Sequence, residues 1–138
     1  LEGMQWLKNR SALPIIGDEG IQRLEDLDDA PSFYHGVNVK LMKSTGIKEG
    51  YDMLIAAKNK GLRTMIGCMS ETSCAIAAAA HLGSLAEFID LDGNLGISND
   101  PYTAFPCING GVETDNTPGI GLKNVNWDSI DPFPIENT

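Results

Sequence analysis

Four short apolar runs recur along this chain at nearly even intervals, and that spacing restricts the fold more than any other feature. They are LPIIGDE from Leu13, VNVKLM from Val37, RTMIGCM from Arg63 and EFIDLD from Glu87. Successive starts lie about 25 residues apart, the length of a strand, a loop, a helix and a second loop. The intervening segments carry helical signals. Residues 47–60 place Ile47, Tyr51, Leu54 and Ile55 on one stripe, with Gly61 as the closing residue. Residues 73–82 begin at a serine or threonine cap and end before Gly83. GIQRLEDLDDA reads as a weaker, shorter helix, and the opening LEGMQWLKNRS as another, with Leu1, Met4 and Leu7 on one side. Strands alternating with helices predict an α/β fold with a parallel sheet and right-handed crossovers. From Asn94 onward Gly, Pro, Asn and Asp dominate, which predicts loops with two short strands.

The chain has 138 residues, enough for one modest core, and its formal net charge is -9. That balance argues against nucleic acid or an anionic membrane as a partner, because both require clustered Lys and Arg. No apolar run approaches the roughly 20 residues of a membrane span. Three cysteines, Cys68, Cys74 and Cys107, have neither metal-ligand spacing nor the even count of a disulfide framework. A reducing, cytoplasmic setting is expected. The first residues contain no secretory signal and no initiator methionine, so we expect sequence to precede them.

Ionisable residues collect at the ends of the runs. Asp18 and Glu19 close the first, Lys40 and Lys43 the second, and Asp90 and Asp92 the fourth; the third runs on to Glu71. In parallel α/β folds the ligand site lies at the C-terminal ends of the strands. Strand parity puts Val37, Val39 and Leu41 on one face and Asn38 and Lys40 on the other. It puts Asp90 and Asp92 together on the face of Phe88, where two carboxylates repel unless a cation lies between them. Each feature also has a plainer reading. Asp18 and Glu19 could be first-turn acids of a helix. Lys43 reads as a solvated edge residue, and Cys68 and Met69 as core or pocket wall. DLDG lacks the further oxygen ligands of a calcium loop. His35 and His81 have no partner at metal spacing.

Taken in order and at these intervals, LPIIGDEG, VNVKLMKSTGI, RTMIGCMSET and FIDLDG resemble the last four strands of the enolase superfamily barrel. Within it they are most similar to the dipeptide epimerases of the muconate-lactonizing subgroup, the type represented by L-Ala-D/L-Glu epimerase. The resemblance implies that residues 1–93 form the C-terminal half of a TIM-type (β/α) barrel of four parallel strand–helix units. Residues 94–138 would be a loop-rich tail that packs toward a capping domain. By the same resemblance Asp18 is a carboxylate ligand of an essential Mg²⁺, and Glu19 is the acid beside it. Lys40 is the general acid/base, Asp90 and Asp92 hold the α-ammonium of a dipeptide substrate, and Cys68, Met69 and Ser70 line the substrate pocket. The implied chemistry is removal of a proton α to a carboxylate, through an enediolate stabilised by a divalent cation. The superfamily is a worked case of a lysine or histidine base acting with magnesium.

A complete barrel of this type has eight strands and about 250 residues. The resemblance therefore implies that the other metal ligands, the second lysine and the capping domain lie outside these residues. The chain is expected to pair with a missing N-terminal half-barrel or with a copy of itself, and to be inactive alone. STG stands where the family more often has a double glycine. Rival readings are another activity of the superfamily, such as a cycloisomerase or an acylsuccinate synthase, or a structural remnant. A further rival is a non-catalytic α/β binding module of the phospho-acceptor receiver type. Receivers present their lysine after all the acids, whereas Lys40 precedes Asp90.

Overall fold

A computed structural model describes residues 2–103 and 107–129. Its centre is a four-stranded sheet in the order β1 (Ile16–Gly17), β2 (Gly36–Lys40), β3 (Arg63–Gly67) and β4 (Phe88–Ile89). Every neighbouring pair is parallel, as the alternation of strands and helices predicts. The strands are shorter than the apolar runs, because β1 and β4 contain only two paired residues each. The main-chain ladder nevertheless continues past β4, where the Asp90 N–H donates to the Ile66 carbonyl at 3.0 Å.

The helices cover one face of this sheet. Val37, Val39, Thr64 and Ile66 point outward and are fully buried. They meet α3 (Ile47–Asn59), whose Met53, Leu54 and Ala57 form the facing stripe. Burying a Leu54 or an Ile66 contributes about 1.5–3 kcal/mol each by area removed from water. Helix α3 closes at Lys60, and Gly61 takes a φ of 73°, the left-handed conformation that glycine adopts without strain. Helix α1 (Glu2–Lys8) forms where expected. GIQRLEDLDDA divides into a 3-10 turn over Leu24–Leu27, followed by α2 (Ala30–Phe33). The Pro31 ring suits the first turn of α2, where its missing N–H is not needed.

Helix α4 (Ser73–Ala80) is shorter than the predicted 73–82, and its cap differs from expectation. Thr72 makes no side-chain hydrogen bond to the helix. Asp100, from the tail, accepts from the Ser73 N–H at 2.7 Å and from its hydroxyl at 2.6 Å instead. Burial raises the Asp100 carboxyl, but the Ser73 and Tyr102 hydrogen bonds outweigh it and hold the group below the ordinary carboxylate range. The tail contains four two-residue strands rather than two among the described residues. β5 (Tyr102–Thr103) pairs antiparallel with β8 (Asn124–Val125), and β6 (Cys107–Ile108) with β7 (Gly111–Val112). The part of the tail expectation that falls on residues 130–138 lies outside the described residues. All three cysteines are free, and no described helix is long and apolar enough to cross a membrane.

Candidate functional site

The inner face of the sheet carries the alternate residues. Register aligns Asn38 with Met65 and Phe88, and Lys40 with Gly67. A cavity of about 210 Å³ opens on that face at the C-terminal ends of the strands. Asp18, Asn38, Lys40, Gly67, Cys68 and Asp90 line it, with Ile16 and Met65 as its apolar floor. Asp18, Lys40 and Asp90 therefore converge on one mouth from three different strand ends, because period-two alternation sends all three to the same side.

Asp18 is the electrostatic centre of the mouth. Its Oδ2 lies 3.1 Å from the Lys40 Nζ and accepts a hydrogen bond from the Asn38 Nδ2 at 3.2 Å. Its Oδ1 accepts from the Lys43 Nζ, which also donates to the Asp18 main-chain carbonyl at 2.7 Å. Burial pushes the Asp18 carboxyl up, but hydrogen bonds from Lys43 and then Lys40, with the charges of both, outweigh it and hold the group below its usual range. Lys43 thus departs from its sequence reading. Its side chain is only 11% exposed, not a solvated edge. The chain leaves β2 in a tight turn, in which the Lys43 and Ser44 N–H groups donate to the Lys40 carbonyl, and that turn brings the residue three places on back to the same mouth. The K-x-x-K spacing after a strand is the signal that points to this placement.

The remaining predicted site residues are distributed unevenly. Cys68 is a wall of the cavity; burial raises its thiol, and its Sγ accepts from the Gly93 N–H at 3.3 Å. The Lys40 ammonium reaches the Met69 thioether at 3.8 Å, although Met69 is otherwise 47% exposed. Ser70 and Glu19 are exposed and do not line the cavity. Glu71 is buried and turned back on its own loop, accepting from the Met69 N–H at 2.7 Å. Asp92 does not share a strand face with Asp90, because β4 ends at Ile89 and a 3-10 turn over Gly93–Gly96 starts just beyond Asp92. Asp92 lines a neighbouring cavity of about 450 Å³, between the end of β4 and the β6–β7 hairpin, and Asp90 lines both.

Asn38 is a site residue that the sequence reading left unassigned. It is buried, and its Oδ1 has no hydrogen-bond partner among the described residues.

The donor chemistry of the mouth fits one share of a magnesium site. Asp18 presents an ionised carboxylate, a hard-oxygen donor, in the cavity lining, where two ammonium groups hold it. No three His, Cys, Asp or Glu side chains gather into a metal cluster among the described residues. Magnesium is commonly held by one or two carboxylates with water and substrate supplying the rest, so a single carboxylate is a usable contribution.

Known proteins resemble this chain in sequence and in fold. A family model described as enolase C-terminal domain-like matches residues 1–128. The L-Ala-D/L-Glu epimerase of Bacteroides thetaiotaomicron is 42% identical over 125 residues, covering 91% of this chain and 33% of that protein. The L-Ala-D/L-amino acid epimerase of Pedosphaera parvula is 49% identical over 119 residues, 86% of this chain and 34% of that protein. Among solved structures, the dipeptide epimerase of Enterococcus faecalis complexed with Mg and the dipeptide L-Leu-L-Tyr superposes with a TM-score of 0.80 at 28% identity, over 89% of this chain and 37% of that one. The L-Ala-D/L-Glu epimerase of Bacillus subtilis, at 24% identity, shares the fold with a TM-score of 0.83 over 90% of this chain and 36% of that one. The chain spans about a third of the length of the relatives it matches. Its four parallel strand–helix units correspond to the C-terminal half of a TIM-type barrel.

Proposed function

The chain belongs to the enolase C-terminal domain-like family, and from that membership we propose that it supplies part of the active site of a magnesium-dependent dipeptide epimerase. The observation that carries this reading is the convergence of Asp18, Lys40 and Asp90 on one cavity at the C-terminal ends of parallel strands. Relatives named as epimerases of L-Ala-containing dipeptides support it.

In this reading Lys40 moves the α-proton of the substrate. Its Nζ reaches into the cavity from the end of β2 and, among the described residues, is not fixed by a second strong acceptor, since the Met69 sulfur accepts only weakly. Asp90, with Asp92 approaching from the adjoining cavity, holds the α-ammonium of the substrate's N-terminal residue, and so places the α-carbon of its C-terminal residue, beside the carboxylate, toward Lys40. Cys68 and Met69 border the reacting carbon and restrict water, while Glu19 and Ser70 serve at the rim. Asp18 contributes one carboxylate oxygen to the cation, which when bound neutralises charge developing on the substrate carboxylate. Residues 1–93 act as the half-barrel and residues 94–138 as the tail that leads toward a cap. The remaining strands come from an N-terminal half-barrel or from a second copy of the chain.

The test is a chimera in which this chain replaces the matching C-terminal third of the Pedosphaera parvula epimerase. With Mg²⁺ and L-Ala-L-Glu in D₂O, it should invert the glutamate centre and incorporate deuterium at that carbon. The chain alone should do neither. A folded chimera that leaves the α-proton unexchanged overturns the reading, and turnover by the chain alone overturns the need for a second half. A cycloisomerase or acylsuccinate synthase would instead accept substrates without an ammonium, and would be insensitive to Asp90→Asn.

A further inference from the structure

Two lysines hold Asp18, but they hold it differently. Lys43 has two acceptors on the same residue, the Oδ1 and the main-chain carbonyl, and it is not part of the cavity lining. It reaches the carboxylate from behind. Lys40 lines the cavity and shares Oδ2 with the Asn38 amide. Its other polar contact among the described residues is the Met69 sulfur at 3.8 Å, a weak acceptor. A positive group arriving from the cavity meets Oδ2 and Lys40 first, and it repels the nearer and less anchored ammonium.

We propose that Lys43 is a positioning residue that stays on Asp18 when a divalent cation binds, so that the carboxylate faces the cavity through Oδ2 alone, while Lys40 is the lysine that is released. This rests on the reading that Asp18 is a cation ligand. The clamp has a consequence for ion choice. A carboxylate with one oxygen occupied binds through the other, which suits the strict octahedral preference of Mg²⁺. Freeing Oδ1 would favour Ca²⁺, which accepts two-oxygen carboxylate binding and a larger coordination number.

The experiment follows the side-chain ammonium resonances of Lys40 and Lys43 by NMR in the chimera with the Pedosphaera parvula epimerase, whose remaining strands would supply the other cation ligands, during titration with MgCl₂ against NaCl of matched ionic strength. The Lys40 signal should shift and the Lys43 signal should stay in place. Equal movement of both, or movement of Lys43 alone, overturns the clamp and leaves Asp18 as a ligand. If neither moves in a chimera that turns over with Mg²⁺, Lys40 is not released and the clamp is overturned while the ligand reading stands; a folded chimera that neither shifts these signals nor turns over overturns the ligand reading together with this inference. The Asp18 carboxylate carbon then reports ion preference in variants. K43M should raise Ca²⁺ affinity relative to Mg²⁺ about tenfold, and K43R, which keeps two donors, should restore the native ratio. An unchanged ratio in a folded K43M overturns the selectivity consequence. Should K43M not fold, the two-lysine measurement on the unsubstituted chimera decides the proposal without it.

Discussion

The Asn38 carboxamide packs against the backbone of Gly67 so closely that a methyl group at residue 67 would lie 2.6 Å from the Asn38 Oδ1 and 2.8 Å from its Nδ2. These two residues sit on paired strands inside the mouth, and the Asn38 Nδ2 holds the Asp18 Oδ2. Residue 67 therefore controls the placement of the carboxylate through the amide.

Gly67→Ala should displace the Asn38 side chain and with it Asp18. Overpacking of this kind costs about 1–3 kcal/mol, read as a lower denaturation midpoint. In the active chimera it should lower Mg²⁺ affinity as well. The double variant Gly67→Ala with Asn38→Ser should recover most of the stability and little of the cation affinity. Calorimetric titration with MgCl₂ on both variants checks this.

Lys40→Met removes from the mouth the lysine proposed to transfer the proton, while leaving Lys43 on Asp18. In the chimera this should lower epimerisation by a factor of about 10²–10⁴, the usual worth of a general acid/base. Deuterium exchange from one configuration of the substrate should be lost more completely than from the other. A variant that retains exchange from both configurations would place the proton transfer elsewhere.

Asp100→Ala should release the tail from α4. The Ser73 N–H and hydroxyl lose their acceptor, and no Thr72 cap replaces it. A loss of about 1–2 kcal/mol is expected, similar to other cap deletions. Amide hydrogen exchange should quicken at Ser73 and at Tyr102, whose N–H also donates to Asp100, while β2 and β3 remain protected. Uniform loss of protection across the sheet would refute a local role.

Glu49 makes one contribution to the acid sensitivity of the fold. The Thr45 hydroxyl, the Leu24 and Thr45 N–H groups and the Arg23 guanidinium hold its carboxyl down at about 2. A depressed carboxylate adds stability that is complete above the ordinary glutamate value of about 4.3 and is lost as pH falls from there toward the folded value. Glu49→Gln should lower the melting temperature at pH 7 by a few degrees and flatten its dependence between about pH 4 and pH 2. Thermal melts of the two chains over that range are the measurement.

Much of the fold is legible in the order of residues, because hydrophobic periodicity reports burial. Val37 and Val39 alternate with Asn38 and Lys40 in the sequence, and they divide between helix-facing core and cavity in the fold. The same parity brings Asp18, Lys40 and Asp90 to one mouth. Parity fails at Asp92, since alternation lasts only while the backbone stays extended, and the chain turns after Ile89. It fails at Lys43 for the converse reason, a turn that returns a side chain toward the strand end. Asp100 as the cap of α4 has no local signal, because donor and acceptor lie 27 residues apart.

The order of apolar runs and their even spacing settled the parallel strand–helix architecture, because each local choice of strand or helix is set by periods of two and 3.6 residues, and the motifs within those runs carried the resemblance to the family. The strand-end positions of Asp18, Lys40 and Asp90 followed from it. Only the tertiary structure decided which ammonium clamps Asp18, which acid shares its cavity, and where the tail attaches. Those outcomes depend on distances between segments that the chain brings together by turning, and a turn of one or two residues changes where a side chain points without changing the pattern that specifies the elements.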